Sequence, residues 1–296
     1  MADLGDLADP LVVVALRWAD ARARVDPLTG EVGTDPRGAG PGEADRCALE
    51  HGLRIAGATG ARCAAVTLAP PPAEEMLRDA LACGADEVLR VDVAPEDPRL
   101  PDSGAATARA LARSIRAELG DPGLLLTGDH SADRGTGATP AFLAAELGCA
   151  QALGLVELSL VDGRLAGLRR LDRGRRERLA IPVPAVCSVE PAGVRLRRAG
   201  LPGTLRAREA VIPAIPAIPV ASGQTGAEPP SVRAARPYRP RAKELPAPQG
   251  DDPRLRLLRL TGAHEEREPP RVVVTEDPAE AADELLAFLR DRGYLP

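Results

Sequence analysis

Apolar positions along this chain fall into two rhythms that alternate over its first half. Leu11–Leu16, Ala61–Leu68, Glu87–Val93 and Leu124–Thr127 are short apolar runs, the pattern of strands buried on both faces. Between them the spacing shifts to three and four. This predicts helices over Glu43–Thr59, with Cys47, Leu49, Leu53 and Ile55 inward, over Ala73–Cys83, closed by Gly84, and over Ala105–Leu119. Strands alternating with helices of this length predict a doubly covered, mostly parallel α/β sheet of Rossmann-like form. In such sheets ligands sit at the carboxyl ends of the strands, here Ala15–Trp18, Leu68–Pro70 and Gly128–Gly137.

After Gly148 the rhythm changes. Leu155–Leu160, Arg164–Leu171 and Glu177–Ile181 read as a small β meander, with turns at Asp162-Gly163 and Arg173-Gly174. Pro184–Val189 reads as a further strand, at an edge or with its prolines at the start. From Ile212 to about Gly250 the chain is rich in Pro, Ala and Arg, the composition of an extended arm. Arg271–Thr275 resembles a short strand. Pro278–Arg290 is a helix whose Leu285, Leu286 and Leu289 share a face. The expected division is an α/β nucleotide-binding domain over residues 1–211 and a C-terminal arm and helix over residues 212–296, docking on a partner.

The segment richest in chemistry is Leu124–Gly148. A buried strand is followed by the polar loop Gly128–Gly137, and a helix begins near Pro140, with Thr136 and Thr139 as candidate caps. Gly128, Gly135 and Gly137 permit close backbone approach, and a helix N-terminus offers N–H groups to an anion such as a nucleotide phosphate. Thr136 adds a hydroxyl. Asp133, awkward beside a phosphate, is expected to hold loop N–H groups or Arg134. Val14, Ala15 and Leu68 are candidates for the adenine wall.

Composition narrows the function. The chain has 296 residues, 44% apolar but only 2% aromatic, so its core is built from Leu, Val, Ala and Ile. A net charge of −5 and few stacking platforms argue against nucleic acid. Five scattered cysteines (Cys47, Cys63, Cys83, Cys149 and Cys187) show no CxxC spacing, which argues against a disulfide framework or a zinc site. His51, His130 and His264 show no metal-ligand spacing, and Asp129-His130-Ser131 is not a hydrolase triad, because adjacent residues cannot converge on one atom. Hence no catalytic or metal residue is expected. No apolar run approaches the roughly 20 residues of a membrane span, and the acidic Met1–Pro10 lacks the basic start of a signal peptide, so a cytoplasmic protein is expected.

Several segments carry a family resemblance. Glu75–Asp79, continued by Ala80-Leu81-Ala82-Cys83-Gly84-Ala85-Asp86, resembles the "ETLRTALAMGAD" segment of electron transfer flavoprotein β subunits. Val12–Asp20, Ala48–Arg54, Ser131–Gly137, Leu201-Pro202 with Ala207-Arg208, and the closing helix from Glu276 resemble further landmarks of that family in the same order. The wording of Ser131–Gly137 and of the C-terminus is most similar to the version accompanying mycofactocin maturation genes.

The resemblance implies a heterodimer with an α subunit that carries FAD, and a structural AMP, or a second FAD, in this subunit. It further implies a C-terminal arm wrapped on the α subunit and a docking loop at Leu201, Pro202 and Leu205, with Arg206 and Arg208 steering an acidic partner. Electrons would then pass from a flavin- or mycofactocin-linked dehydrogenase to a quinone-linked acceptor, and this subunit would need no catalysis of its own. Departures from the family pattern point to a specialised partner: Leu16 replaces a lysine, Gly42 an asparagine and Arg170 a glutamate, while Arg206-Ala207-Arg208-Glu209 shortens a basic run. The alternative is a stand-alone adenine-nucleotide-binding enzyme or sensor of the same fold.

Overall fold

The sheet begins with β1 (Leu11–Ala15), whose five residues are all buried. The computed structural model describes residues 10–93, 103–218, 252–261, 272–275 and 277–295. They fall into two compact units, Met1–Tyr238 and Arg239–Pro296.

In the first unit β1 is followed by two small two-stranded ladders within residues 19–40, then α1 (Glu43–Thr59), β2 (Arg62–Leu68), α2 (Glu74–Cys83), β3 (Glu87–Asp92), α3 (Gly104–Glu118), β4 (Leu124–Gly128) and α4 (Thr139–Leu147). There follow β5 (Ala150–Val161), β6 (Arg164–Arg170), β7 (Arg176–Ile181), β8 (Ala185–Val189), α5 (Leu201–Glu209) and β9 (Ala214–Pro216). These nine strands form one sheet in the order β7-β6-β5-β8-β4-β1-β2-β3-β9. Only β6 runs against the others. The α/β fold and its mostly parallel sheet are thus as the alternating rhythms indicate.

Successive strand residues point to opposite faces, and this splits the core in two. Val12 and Val14 of β1 join Leu124 and Leu126 of β4 beneath α1 and α2. Leu11, Val13 and Ala15 join Leu125 beneath α3 and α4. The chain passes from β1 outward to β2 and β3, then returns to β4 on the other flank of β1. A crevice therefore opens between the carboxyl ends of β1 and β4, where the winding reverses.

Local details correct several expectations. The meander β5–β7 is present as expected and extends the main sheet, but β5 begins at Ala150 rather than near Leu155. Its turn at Asp162-Gly163 has two positive φ values (50° and 80°), as a tight two-residue hairpin requires. β8, expected at an edge or with its prolines at the start, lies centrally between β5 and β4. Pro184 precedes it and so leaves its N–H ladder intact.

Leu201–Leu205, expected as a loop, is the start of α5. Pro202 occupies its first turn, where a missing N–H costs nothing. Gly203 is the contact with α2, since a Cβ there would lie 2.5 Å from the Ala82 carbonyl oxygen. Arg78 completes this packing by donating to the carbonyls of Ala207 (3.0 Å) and Ala210 (2.6 Å).

Thr136 and Thr139 do not cap α4: its N-cap is Ala138, with no side-chain hydrogen bond. β9 pairs with β3, so the sheet continues just past the expected 211/212 boundary. Most of the expected arm, residues 219–251, lies outside the described residues.

The second unit contains α6 (Pro253–Leu260) and α7 (Pro278–Asp291). The α7 helix starts at Pro278, as expected, with the Asp277 carboxylate accepting the Ala279 N–H (2.9 Å). Val272–Thr275 join no strand ladder. Among the described residues no helix is long and apolar enough to cross a membrane.

Candidate functional site

Three strand ends and the starts of three helices meet at the crevice. Ala15, Leu16 and Arg17 leave β1, Leu68 ends β2, and Gly104, Thr107 and Leu111 come from the first turns of α3. Thr127–Ser131, Arg134 and Thr136–Leu143 span the end of β4, its loop and the start of α4 (Ala141 apart), and Asp45 enters from α1. They enclose a cavity of about 280 Å³. Its walls are apolar at Ala15, Leu16, Leu68, Leu111, Phe142 and Leu143; its rim is polar. The starts of α3 and α4 meet there, for a Cβ on Gly104 would lie 3.2 Å from Thr139 Oγ1. Two helix N-termini with their positive ends toward one cavity favour an anion in it.

Asp45 ties three segments together at the cavity floor. Its carboxylate accepts the N–H of Gly42 (3.2 Å) at the start of α1 and that of Gly128 (3.3 Å) at the end of β4. The Arg17 N–H bonds to it as well. Burial pushes the Asp45 carboxyl up to about 7, against these donors and the Arg17 charge, which act to lower it. Gly128 is needed for this approach, since a Cβ there would lie 2.9 Å from both Ala44 Cβ and Asp45 Oδ1.

The loop after β4 folds back on itself. The Asp129 N–H donates to Val189 (2.9 Å), and Gly135 closes a turn onto the Ser131 carbonyl (2.9 Å). Gly137 has φ 59°, and a Cβ on it would stand 2.5 Å from the Asp129 carbonyl oxygen. His130 shares a hydrogen bond with the Asp129 carboxylate (2.7 Å).

Of the residues expected at a nucleotide site, Ala15, Leu68, Gly128, Arg134, Thr136 and Gly137 line this cavity. Val14 does not: it lies on the opposite face of β1, in the core under α1, because it is one residue out of phase with Ala15. Gly135 shapes the turn without lining the cavity. Asp133 is outside the lining too, and its carboxylate meets Arg17 (Nε to Oδ2, 3.2 Å). Burial acts to raise the Asp133 carboxyl, but hydrogen bonds from Arg17 and Ser131 hold it below its ordinary value. Arg17 and Asp45 are charged groups of the site that were not among the expected residues, and Thr107 and Thr127 line it unexpected as well. The signals of Arg17 and Asp45 were their places, one just past a buried strand and the other in the first turn of α1.

The residues expected to dock a partner sit on α5. Leu201 is 71% exposed and Leu205 50%, with Pro202, Arg206 and Arg208 exposed beside them. The segment leading to α5 is tied to α1 by Glu50. This buried carboxylate accepts the N–H (3.0 Å), Nε (3.0 Å) and Nη2 (3.2 Å) of Arg197, and Nε of Arg54 (2.7 Å). Burial alone would raise the Glu50 carboxyl; the two guanidinium groups outweigh it and bring it down to about 2. Arg170, at the position where the resembling family has a glutamate, pairs with Glu190 (2.5 Å).

A family model, the electron transfer flavoprotein domain, matches residues 37–220. Protein FixA of Azorhizobium caulinodans is 29% identical over 208 residues, which is 68% of this chain and 73% of that protein. The mitochondrial electron transfer flavoprotein subunit beta of Oryza sativa subsp. indica is 32% identical over 168 residues, 56% of this chain and 64% of its own. The electron transfer flavoprotein subunit beta of Mycobacterium tuberculosis (strain H37Rv) is 34% identical over 125 residues, 42% and 45% of the two chains. The chain thus spans less than two thirds of the rice and mycobacterial relatives.

Proposed function

The chain belongs to the electron transfer flavoprotein family, as a β-type protein, and we propose that it is the β subunit of a heterodimeric electron carrier holding a structural adenine nucleotide. The observation that supports this reading is the cavity between β1 and β4. Its apolar walls suit an adenine ring, and its rim of loop backbone, Thr136, Thr139 and two helix N-termini suits a phosphate. AMP is the expected occupant, with a second FAD as the competing one.

FAD, when bound mainly by the α subunit, supplies the redox chemistry that relays electrons from a flavin- or mycofactocin-linked dehydrogenase to a quinone-linked acceptor. The part played by this chain is binding and positioning. Its cavity orders the β4–α4 loop, and α5 offers Leu201 and Leu205 to a partner, with Arg206 and Arg208 to steer it. Exposed Leu285, Leu286 and Phe288 on α7 supply an apolar face for the α subunit.

The test is denaturing extraction and mass identification of nucleotides, on this chain alone and co-purified with its α partner. AMP in both samples, with one FAD only in the pair, supports the reading; two FADs per pair replace AMP with a second flavin. No nucleotide in either sample refutes it. Gly137→Val with Thr136→Ala forces the loop off the Asp129 carbonyl and removes the hydroxyl, so bound nucleotide is expected to be lost. Unchanged nucleotide content would move the site elsewhere.

A further inference from the structure

We propose that Arg17 is the phosphate-binding side chain of this cavity and that Asp133, outside the lining, is the residue that positions it. This rests on the nucleotide reading above. Among the described residues two arginines line the cavity, Arg17 and Arg134. Arg134 belongs to the exposed tip of the loop. Arg17 is held at both ends: its N–H bonds to Asp45 at the floor, and its guanidinium bonds to Asp133 through Nε and Nη2. Its side chain is only 24% exposed.

A guanidinium has five N–H donors in a planar fork. It can therefore serve a carboxylate along the Nε–Nη2 edge and a phosphate beside it. Fixing the group beforehand spares the ordering cost that a free arginine meets on binding. Of the other groups at the cavity, His130 and Asp45 do not compete for this role. His130 is turned to Asp129, and burial raises the Asp45 carboxyl to about 7, so at neutral pH it places only part of a negative charge beneath the phosphate. The arrangement makes the site selective for a nucleotide over its nucleoside.

The test compares AMP with adenosine by calorimetric titration of the full-length, nucleotide-stripped chain at low salt. In Arg17→Gln the AMP Kd is expected to rise about 10- to 100-fold, the range of one charge-assisted contact, while the adenosine Kd stays within about twofold. Arg17→Lys keeps the charge without the fork and is expected to recover part of the preference. Asp133→Asn leaves Arg17 unpositioned and is expected to weaken AMP several-fold and adenosine hardly at all.

An unchanged AMP-to-adenosine ratio in Arg17→Gln and Arg17→Lys overturns the proposal. An equal loss of both ligands also overturns it, because that marks a purely structural role. Wild-type protein that binds neither ligand removes the nucleotide reading itself, and this assignment with it. Binding of both with no preference for AMP removes only the role of Arg17.

Discussion

Replacing Glu50 by Gln separates charge from shape at the joint between α1 and the segment that carries α5. Glu50 has an ordinary carboxyl value near 4.5 and is brought to about 2 in the fold. At pH 7 the linkage is about 3 kcal/mol, from about 2.5 units at about 1.36 kcal/mol each. Arg54 and Arg197 are about half exposed, so solvent screening reduces this, and 1–3 kcal/mol is the expected range. The sign follows from the lowered value. The contribution is fully present above about pH 4.5 and disappears as pH falls toward 2, leaving about 1 kcal/mol at pH 3. Glu50→Gln is therefore expected to unfold at lower urea than wild type at pH 7, with unchanged m, and the gap should close by more than half at pH 3. Equal stability at pH 7, or a gap that does not narrow in acid, would refute the argument.

Two further outcomes are expected. Leu201→Ala with Leu205→Ala removes exposed apolar contact from α5, so folding stability should stay within about 0.5 kcal/mol while electron transfer from the donor dehydrogenase slows about tenfold or more; stopped-flow reduction of the flavin reads this, and a normal rate would end the docking assignment. Asp45 is the mirror of Glu50: its raised carboxyl means the folded state holds the proton more tightly than the unfolded chain, so its contribution declines as pH rises from about 4 to 7 and is flat above. Asp45→Asn should flatten this slope in Tm measured from pH 5 to 8, and parallel curves for the two proteins would contradict it.

What the sequence disclosed followed from local rules. The α1 helix has the bounds its spacing indicated, and α2 ends at Gly84 in the left-handed region. The ends of β1, β2 and β4 converge because a parallel sheet brings them to one side. What stayed hidden was set by tertiary contact. Pro202-Gly203 has the composition of a turn, yet Gly203 is there to let α5 approach Ala82. β9 is three residues long and gains its place only by pairing with β3, distant in sequence. Val14 and Ala15 are neighbours of the same apolar run, and only the phase of the pleat assigns one to the core under α1 and the other to the cavity.

Asp45 shows most plainly why the centre of the site was not readable. An acid in the first turn of a helix is commonly an exposed complement to the positive end of the dipole. Here the end of β4 carries glycine at position 128, and α1 comes close enough to cover the acid. The same residue then becomes a buried acceptor for N–H groups from the start of α1, from β4 and from Arg17 just past β1. Its function is thereby moved from α1 to the crevice, where it fixes the separation of the two strand ends that frame the cavity. Glu50, farther along the same helix, has the opposite shift because two guanidinium groups bond its carboxylate directly, whereas the bonds to Asp45 come from backbone N–H groups. One helix thus carries two buried carboxylates of opposite pH response, one holding the cavity floor and the other holding the approach to α5. Measurements near neutral pH act on the first, and measurements in acid act on the second.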